Sequence, residues 1–406
     1  MLSVEEARAR ILARIEPLPA TRVMVNDALG MVAAEDLIAP HQLPRFANSA
    51  MDGWAVRAAD VLDATPDAPV TLSIIGEVRA GDPTDATVHM GTTMGIMTGA
   101  PVPRGADAVV PMEQATEAEG RVVIAAPPPP HGHIRSAGED IEDGAVVVRV
   151  GDELGPGELA ILASLGLSPV LVHHRPRVAV LVTGDELVAP ETEPGAGQIR
   201  DSNTVALRTL VLEAGGEPVL LGPVADDLRA VVDALDRGAS ETDLVISAGG
   251  VSVGRYDFVK SAVEELGGIE FWRVAMQPGK PVVLGHVGER PFLGLPGNPV
   301  SIHVGFEQFV RPAILKLRGF RTFMRPVIRA RLTGPLTKPP GRLHFVRVRL
   351  DVADGSFVAT PLGPQGSHIQ SSLVGCSGLA LFHIEATNLA TGDEVDVQVW
   401  SLPAAP

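Results

Sequence analysis

The sequence is poor in cysteine and lacks long apolar runs. Cys376 is the single cysteine among 406 residues, so neither an intrachain disulfide nor a cysteine-based zinc site can form. No apolar run is long enough to span a bilayer, and the first residues, MLSVEEARARILARI, lack the apolar core of a signal peptide. We therefore expect a cytoplasmic protein without a membrane-spanning helix.

Positive charge is also scarce. Lysine and arginine number 33 against 49 aspartates and glutamates, which gives a formal net charge of -16. Nucleic-acid binding needs a basic face, and anionic membrane surfaces attract basic segments, so we expect neither partner. A small anionic ligand stays compatible with this charge, because a local basic pocket or a helix N-terminus can hold it.

Apolar residues are abundant, at 45% of the chain, and 43 glycines and 35 prolines are spread along it as turns. The length is typical of about two to four domains. At the start, Ser3 and Glu6 form a capping-box pattern, and apolar residues recur at helical spacing after it. This pattern predicts an amphipathic helix from Ser3 to Ile15.

The pattern then changes twice along the chain. A β-rich stretch comes first, and from about Pro176 apolar strands alternate with helical segments, which predicts a parallel sheet with helices on both faces. After about Phe320 only short strands remain. In LHFVRVRLDV, Val346 and Val348 lie on one side and Arg347 and Arg349 on the other, and in DEVDVQVW Val395, Val397 and Val399 alternate inward, which predicts a small antiparallel β domain.

Polar residues follow the strands of the predicted sheet. Glu186 follows the first strand, Asp226 the second, and a glycine-rich run with Ser252 and then Asp257 the third. The carboxyl ends of parallel strands meet at one edge, where open α/β sheets bind ligands. One such aspartate is more often a helix cap. Several acidic loops converging on one edge favour Mg²⁺ beside a bound phosphate.

Two loops of this region allow two interpretations each. The run Gly249 to Gly254 is either an anion nest of backbone N–H groups or a tight turn, and it matches neither a P-loop nor the dinucleotide fingerprint. The loop Pro-Gly-Asn-Pro, with Pro296 and Pro299, is either a rigid strand–helix connection or a preshaped wall of a ligand site.

Two further residues are candidates with ordinary alternatives. Lys280 follows a Pro-Gly turn, where its ammonium group can meet a phosphate or oxyanion, although a solvated hairpin lysine fits the same pattern. Asp52 lies in NSAMDGWAV, just before the β-rich stretch, in what is by itself an ordinary turn. No Ser-His-Asp or Cys-His arrangement can be argued from the sequence.

Taken together, these motifs resemble one family. FANSAMDGWAV, IMTGAPVP, ADAVVPME, IRSAGEDI, TGDEL, SAGGVSVGRYDF, MQPGKP, GLPGNPVS and QGSHIQSS occur in the order seen in the molybdopterin molybdotransferases. This is the bacterial MoeA family, which includes the C-terminal domain of gephyrin. The resemblance covers nearly the whole chain, and the ordered set is more specific than any single motif.

The resemblance implies a multidomain α/β plus all-β fold with four domains. A helical and extended linker domain is expected at residues 1–50 and 141–170, and an inserted β domain at 51–140. A doubly wound molybdopterin-binding α/β domain is expected at 171–322, followed by a C-terminal β barrel at 323–406. A homodimer with clefts shared between subunits is also implied.

The implied reaction is insertion of molybdate into adenylated molybdopterin with release of AMP, which forms molybdenum cofactor with Mg²⁺ as the metal. Molybdopterin adenylyltransferase and cofactor-accepting enzymes are the implied protein partners. Two alternatives stay open: a molybdopterin adenylyltransferase, whose relatives resemble only the α/β domain, and a binding scaffold, as in gephyrin. The sequence does not decide between molybdate and tungstate.

The resemblance also assigns roles to residues of this chain. Catalytic roles fall on Asp52, Glu186, Asp226 and Asp257, of which Asp226 and Asp257 would bind the metal. Substrate-binding roles fall on Thr98, Ser252, Lys280, Pro296, Pro299, Arg342 and Ser367. Gln277 departs from the pattern, because some relatives carry a lysine there. We therefore expect Lys280 and Arg342 to supply more of the oxyanion binding.

Overall fold

The computed structural model describes residues 1–83, 85–250, 258–271 and 273–402. The chain divides into two compact units that exchange segments along the sequence. The first unit comprises Met1–Glu35, Val150–Gly155 and Pro169–Pro406, and the second comprises Asp36–Arg149 and Pro156–Ser168. The predicted four-domain boundaries are finer than this division and stay a prediction.

The first unit begins with helix α1 (Val4–Ala13) and strand β1 (Ala20–Val23), followed by a 3-10 turn at Val25–Asp27. The predicted capping box is confirmed: the Ser3 hydroxyl accepts from the Glu6 N–H, and the Glu6 carboxylate accepts from the Ser3 N–H. The apolar face of α1 is buried in the core of this unit.

The second unit is rich in strands, as predicted. A six-stranded sheet runs in the order β7-β4-β6-β5-β9-β8. This unit also contains two short antiparallel strand pairs, β3 with β10 and β2 with β11. Its elements are β2 (Leu37–Ile38), β3 (Asn48–Ser49), β4 (Gly53–Val56), α2 (Ala58–Val61), β5 (Val70–Val78), β6 (Thr92–Ile96), β7 (Ala108–Pro111), a 3-10 turn (Met112–Gln114), β8 (Ala115–Ala118), β9 (Arg121–Ile124), β10 (Ile134–Arg135), β11 (Val146–Val148) and α3 (Pro156–Ser164).

The first unit continues with the predicted α/β region. Its elements are β12 (Val170–His173), β13 (Arg177–Thr183), β14 (Leu187–Val188), β15 (Ile199–Arg200), α4 (Asn203–Glu213), β16 (Glu217–Val224), α5 (Leu228–Glu241), β17 (Leu244–Ala248), α6 (Phe258–Leu266), β18 (Gly267–Phe271), β19 (Met276–Gln277), β20 (Val283–Val287), β21 (Arg290–Leu295), α7 (Pro299–Gly305), a π-helical turn (Phe306–Val310) and α8 (Arg311–Leu317).

The main sheet of this region has the order β16-β13-β17-β21-β20-β18. Helices cover both faces, as predicted, because alternate residues of β13 enter different cores: Val180 packs in the core that includes α1 and α4, whereas Leu181 packs in the core that includes α5 and α6. The prediction of a parallel sheet is wrong at one edge. There β20 pairs antiparallel with both β18 and β21, because the short turn at Gly288 reverses the chain directly.

A closed five-stranded barrel follows, as β24-β25-β22-β28-β26 with β26 paired back to β24. Its elements are β22 (Val327–Leu332), β23 (Leu336–Thr337), β24 (Leu343–Ala353), β25 (Ser356–Pro361), a 3-10 turn (Gln370–Leu373), β26 (Gly378–Phe382), β27 (Asn388–Leu389) and β28 (Glu394–Val399). The inward valines are confirmed. Arg347, on the other side of β24 from Val346 and Val348, is also buried: it is 0% exposed beneath the loop after β25.

A strand pairing and a buried glutamine are two of the links that join the barrel to the α/β region within the first unit. Strand β19 pairs in parallel with β24, so that Gln277 lies opposite His344. The second link is Gln308 in the π-helical turn. Its side-chain amide donates to Gln398 Oε1 of β28 at 2.6 Å, while Arg8 of α1 donates to its carbonyl at 3.1 Å and to its Oε1 at 2.8 Å.

Candidate functional site

A large pocket lies in the first unit, where the carboxyl ends of the parallel strands face the barrel. Its volume is about 820 Å³, within the usual range for a ligand site. The lining brings together most of the predicted site residues, namely Glu186, Asp226, Lys280, Pro296, Pro299, Arg342 and Ser367. These residues are far apart in the sequence, and the parallel strands and the β19–β24 pairing bring them to one place.

One wall of the pocket is acidic. Glu186 and Asp226 lie on the loops after β13 and β16, and the Asp226 N–H donates to Asp185 Oδ1 at 3.1 Å. Gly184 has φ +152°, and a Cβ atom there would lie 2.7 Å from Glu186 Oε2. The Glu186 carboxylate can therefore rest against the backbone only because residue 184 has no side chain.

The neighbouring aspartates have separate roles. Asp227 caps α5, because its Oδ1 accepts from the Ala230 N–H at 2.9 Å. Asp226 lines the pocket instead. Asp227 is therefore a helix cap, and Asp226 is the aspartate of this loop that lines the pocket.

The glycine turn after β17 also lines the pocket. Gly249 and Gly250 have φ +92° and +65°, and a Cβ atom at Gly250 would lie 2.5 Å from a Val259 methyl group. The Gly249 N–H donates to the Leu295 carbonyl at 3.1 Å, so this amide is already bonded. Ser252 and Asp257 lie outside the described residues, and the anion nest stays a prediction.

The Pro-Gly-Asn-Pro loop is a fixed wall of the pocket. Pro299 is the first residue of α7, where a missing N–H costs the helix no bond. Asn203 Nδ2 donates to the Gly297 carbonyl at 2.9 Å, and Asn298 Nδ2 donates to Ser367 Oγ at 3.1 Å. The loop is therefore a fixed connection that also lines the pocket, and its role as the wall of a ligand site stays a prediction.

Asn203 is a pocket residue that sequence reasoning did not assign. The run Asp201-Ser202-Asn203 predicts a helix start, and Asp201 does bond to the N–H groups of Asn203 and Thr204. Asn203 Oδ1 is buried and has no partner among the residues that the structure describes. No local pattern distinguishes a capping asparagine from one that reaches across to another loop.

A second wall of the pocket is basic. The pairing of β19 with β24 brings the turn that carries Lys280 beside Arg342, and both residues line the pocket together with Gln277 and Ser367. Lys280 is exposed and Arg342 is half-buried. The arrangement offers an ammonium, a guanidinium and a hydroxyl group to an oxyanion.

His344 lies behind this basic wall and was not predicted from the sequence. It is 4% exposed, and neither ring nitrogen has a partner within the described part of the chain. Burial, together with the nearby charges of Arg347, Lys338 and Arg342, lowers the pKa of His344 to about 4. The ring is therefore neutral at pH 7.

Asp52 and Thr98 lie together in the second unit. Asp52 Oδ1 accepts from the Thr98 N–H at 2.7 Å and from its hydroxyl at 2.8 Å. These two bonds hold the pKa of the Asp52 carboxyl below its usual value, and the first of them contributes most. The Thr98 donors, predicted to bind substrate, are thus bonded to Asp52, which presents an ionised, exposed carboxylate.

The described residues contain no group of three or more His, Cys, Asp or Glu side chains placed to hold a metal ion. Mg²⁺ requires less from the protein, because it takes one or two carboxylates and completes its shell with phosphate oxygens and water. Glu186 and Asp226 on the acidic wall match that donor set. No helix in the described part of the chain is long and apolar enough to cross a membrane.

Comparison with known proteins gives matches along the whole chain. Residues 2–166 match the family described as "MoeA N-terminal region (domain I and II)". Residues 179–316 match "Probable molybdopterin binding domain", and residues 329–400 match "MoeA C-terminal region (domain IV)". The pocket residues of both walls lie inside the second and third of these matches.

Curated and solved relatives agree with these matches. A protein of Mycobacterium tuberculosis named "Molybdopterin molybdenumtransferase 2" is 39% identical, over 99% of this chain and 100% of its own. One of Haemophilus influenzae named "Molybdopterin molybdenumtransferase" is 38% identical, over 98% of each chain. The crystal structure of a molybdopterin biosynthesis MoeA protein from Pyrococcus horikoshii is similar with a TM-score of 0.84 and 32% identity, covering 98% of this chain and 99% of that one.

Proposed function

Since this chain belongs to the MoeA family, we propose that it is a molybdopterin molybdenumtransferase that inserts molybdate into adenylated molybdopterin with release of AMP. One observation carries the proposal beyond the family: a single pocket is lined by acidic side chains from the strand-end loops and by basic side chains from the β19–β24 region. Such a pocket can bind two anionic groups of one reaction. The acidic side chains bind one of them through a metal cation, and the basic side chains bind the other directly.

The basic wall is suited to molybdate. Lys280 and Arg342 supply positive charge, and the Ser367 hydroxyl supplies a directional donor. Glu186 and Asp226 repel a free oxyanion from the other wall, so molybdate is confined to the basic side. Oriented charges of this kind stabilise the negative charge that develops on the departing phosphate.

The acidic wall is suited to the pyrophosphate of adenylated molybdopterin through Mg²⁺. Asp226, with Asp257 as its predicted second ligand, would hold this ion, and Glu186 lies beside them on the wall. When bound, Mg²⁺ neutralises the charge of the phosphate oxygens. The glycine turn at Gly249 and Gly250 lies in the same lining, and its backbone is proposed to face the phosphates.

Asp52 is proposed to act in the pocket of a second copy of the chain, within a homodimer. It is not among the residues that line the pocket of the first unit, and Thr98 holds its carboxylate in an exposed and ionised state. A cytoplasmic location is proposed as well, since a chain with one cysteine has no need of an oxidising compartment.

The test measures AMP by chromatography after mixing the protein with adenylated molybdopterin, Mg²⁺ and molybdate, and with each component left out in turn. We expect AMP release only in the complete mixture, and loss of release in Asp226→Asn, which keeps the side-chain volume and removes one charge. Equal release without molybdate would refute the coupling. ATP consumption with plain molybdopterin would instead identify an adenylyltransferase.

A further inference from the structure

Arg347 is a buried arginine placed directly behind the basic wall of the pocket. It is 0% exposed and lies on β24, at the back of the loop Pro364–Ser367. Its Nε donates to Ser372 Oγ at 3.0 Å, Nη1 donates to the Gln365 carbonyl at 3.2 Å, and Nη2 donates to the carbonyls of Pro364 and Gly366 at 3.3 and 3.1 Å.

The same loop is held to the backbone of Arg347 by Gln365. The Arg347 N–H donates to Gln365 Oε1 at 2.9 Å, and Gln365 Nε2 donates to the Arg347 carbonyl at 3.3 Å. Residue 347 thus fixes the loop through its side chain and its main chain together. Gln365, Gly366 and Ser367 in turn line the pocket.

The bonding pattern sets the direction of the loop amides. Three successive carbonyls, those of Pro364, Gln365 and Gly366, point toward the guanidinium group. In a trans peptide the N–H points opposite to the carbonyl, so the N–H groups of residues 365, 366 and 367 point away from Arg347. Within the described residues, none of these N–H groups donates to a protein acceptor.

The charge of Arg347 is not balanced by a carboxylate. No ion pair joins Arg347 to an acidic residue in the described part of the chain. Burial lowers the pKa of Arg347 to about 10, so the group stays charged at neutral pH. Burying an unpaired charge is costly for folding, and an anion bound on the far side of the loop would offset that cost.

We propose that Arg347 is a positioning residue for the oxyanion side of the pocket. It fixes the loop so that free amides and the Ser367 hydroxyl meet molybdate, and it adds positive charge from behind without touching the substrate. The proposal rests on the proposed function in one respect, because molybdate is taken as the oxyanion.

Arg318 provides a matched control for a purely structural arginine. It is also buried, and it donates to the backbone carbonyls of Ala214 and Gly30. It differs from Arg347 in two ways. Arg318 forms an ion pair with Glu153, and neither Arg318 nor any of these partners lines the pocket. A change at Arg318 should therefore lower stability without a specific effect on oxyanion binding.

The experiment measures molybdate binding to the purified protein by calorimetry, and KM for molybdate and for adenylated molybdopterin in turnover. We expect Arg347→Met to raise the Kd and KM of molybdate about tenfold and to leave the KM of adenylated molybdopterin nearly unchanged. Arg347→Lys keeps the charge but loses the planar fork, and it should recover part of the loss. Arg318→Met should change neither constant.

Equal changes in both KM values, or an effect of Arg347→Met no more specific than that of Arg318→Met, would overturn the proposal. Absence of molybdate binding to the wild-type protein would also overturn it. If the wild type binds molybdate in an Arg347-dependent way but releases no AMP, the proposed function fails and the role of Arg347 stands. Should Arg347→Met not fold, Gln365→Met removes the other support of the loop and must also weaken molybdate binding.

Discussion

The two walls of the pocket are built in different ways. On the acidic wall, Glu186 is exposed and Asp226 half-buried, and a hydrogen bond from the Asp226 N–H to Asp185 joins the two loops that carry them. Behind the basic wall, Arg347 is 0% exposed and Lys338 is 6% exposed inside the barrel region, where Lys338 lies 4.9 Å from the centre of the Phe382 ring.

Because of this difference, we expect substitutions on the two sides of the pocket to affect activity and stability differently. Carboxylates on strand-end loops can be altered with little effect on packing, so the acidic side should tolerate changes that remove activity. Arg347 and Lys338, the cations behind the basic wall, lie inside the barrel region, where burial of a polar or charged group carries a folding cost. Changes there should alter stability as well as binding.

The largest effect is expected at Asp52, an acidic residue of the second unit. Asp52→Ala should lower activity about 100-fold or more while thermal melting stays nearly unchanged, because the carboxylate is exposed. If Asp52 serves the partner's pocket, mixing Asp52→Ala with Asp226→Ala should rebuild one pocket in each mixed dimer. Random mixing then restores about a quarter of wild-type activity.

The control mixes Asp52→Ala with Asp52→Asn, which share the same defective position and should restore nothing. Size-exclusion chromatography of differently tagged chains verifies that mixed dimers form. Mixed dimers of Asp52→Ala and Asp226→Ala that form and stay inactive would contradict the shared pocket.

A smaller effect, on stability, is expected at His344 behind the basic wall. Its pKa is about 4 in the folded protein against 6.5 for a free histidine, so the unfolded chain binds the extra proton first as the pH falls. Stability is therefore retained above pH 6.5 and lost as the pH falls toward 4, by on the order of 3 kcal/mol. Urea denaturation at pH 7.5 and at pH 4.5 measures this loss.

His344→Leu removes the titrating ring and should be less sensitive to pH than the wild type over this range. His286→Leu is the matched control, because it makes the same substitution at a histidine that is exposed on β20. If stability depended on pH in His344→Leu as it does in the wild type, protonation of His344 would not be the cause of the loss of stability at low pH.

The smallest effect is expected for Gly184→Ala, on the acidic wall. A Cβ atom there must displace the Glu186 carboxylate, and a shift of a few tenths of an ångström to about 1 Å should lower kcat about tenfold. The control is Gly197→Ala: Gly197 has φ +82° but open space around its Cβ position, so this variant reports backbone strain alone. Equal losses in both variants would remove the role assigned to Glu186.

Local patterns predicted much of this molecule. The capping box of α1, the helices on both faces of the sheet and the polar loops after β13 and β16 all follow from periodicity and turn chemistry. The resemblance to a family added the residues of the barrel, such as Arg342 and Ser367, because no periodicity links a barrel strand to a distant sheet edge.

The sequence failed where a long-range contact overrides a local pattern. Arg347 alternates with inward valines, and no local pattern shows that the loop after β25 folds over it and buries it. Asn203 predicts only a helix start, although its amide reaches the Pro-Gly-Asn-Pro loop. The antiparallel edge formed by β18 and β20 was missed because the turn at Gly288 is a weak local signal between two short strands.

The hydrogen bonds that link Gln308 to Arg8 and Gln398 have a consequence for folding during synthesis. Arg8 and Gln308 are 300 residues apart in the chain, and Gln398 is another 90 residues further on. At translation rates of about 5–20 residues per second, α1 waits on the order of 15–60 seconds for its partner to leave the ribosome. Its apolar face stays uncovered during that time, which makes the nascent N-terminal helix a natural client for chaperones.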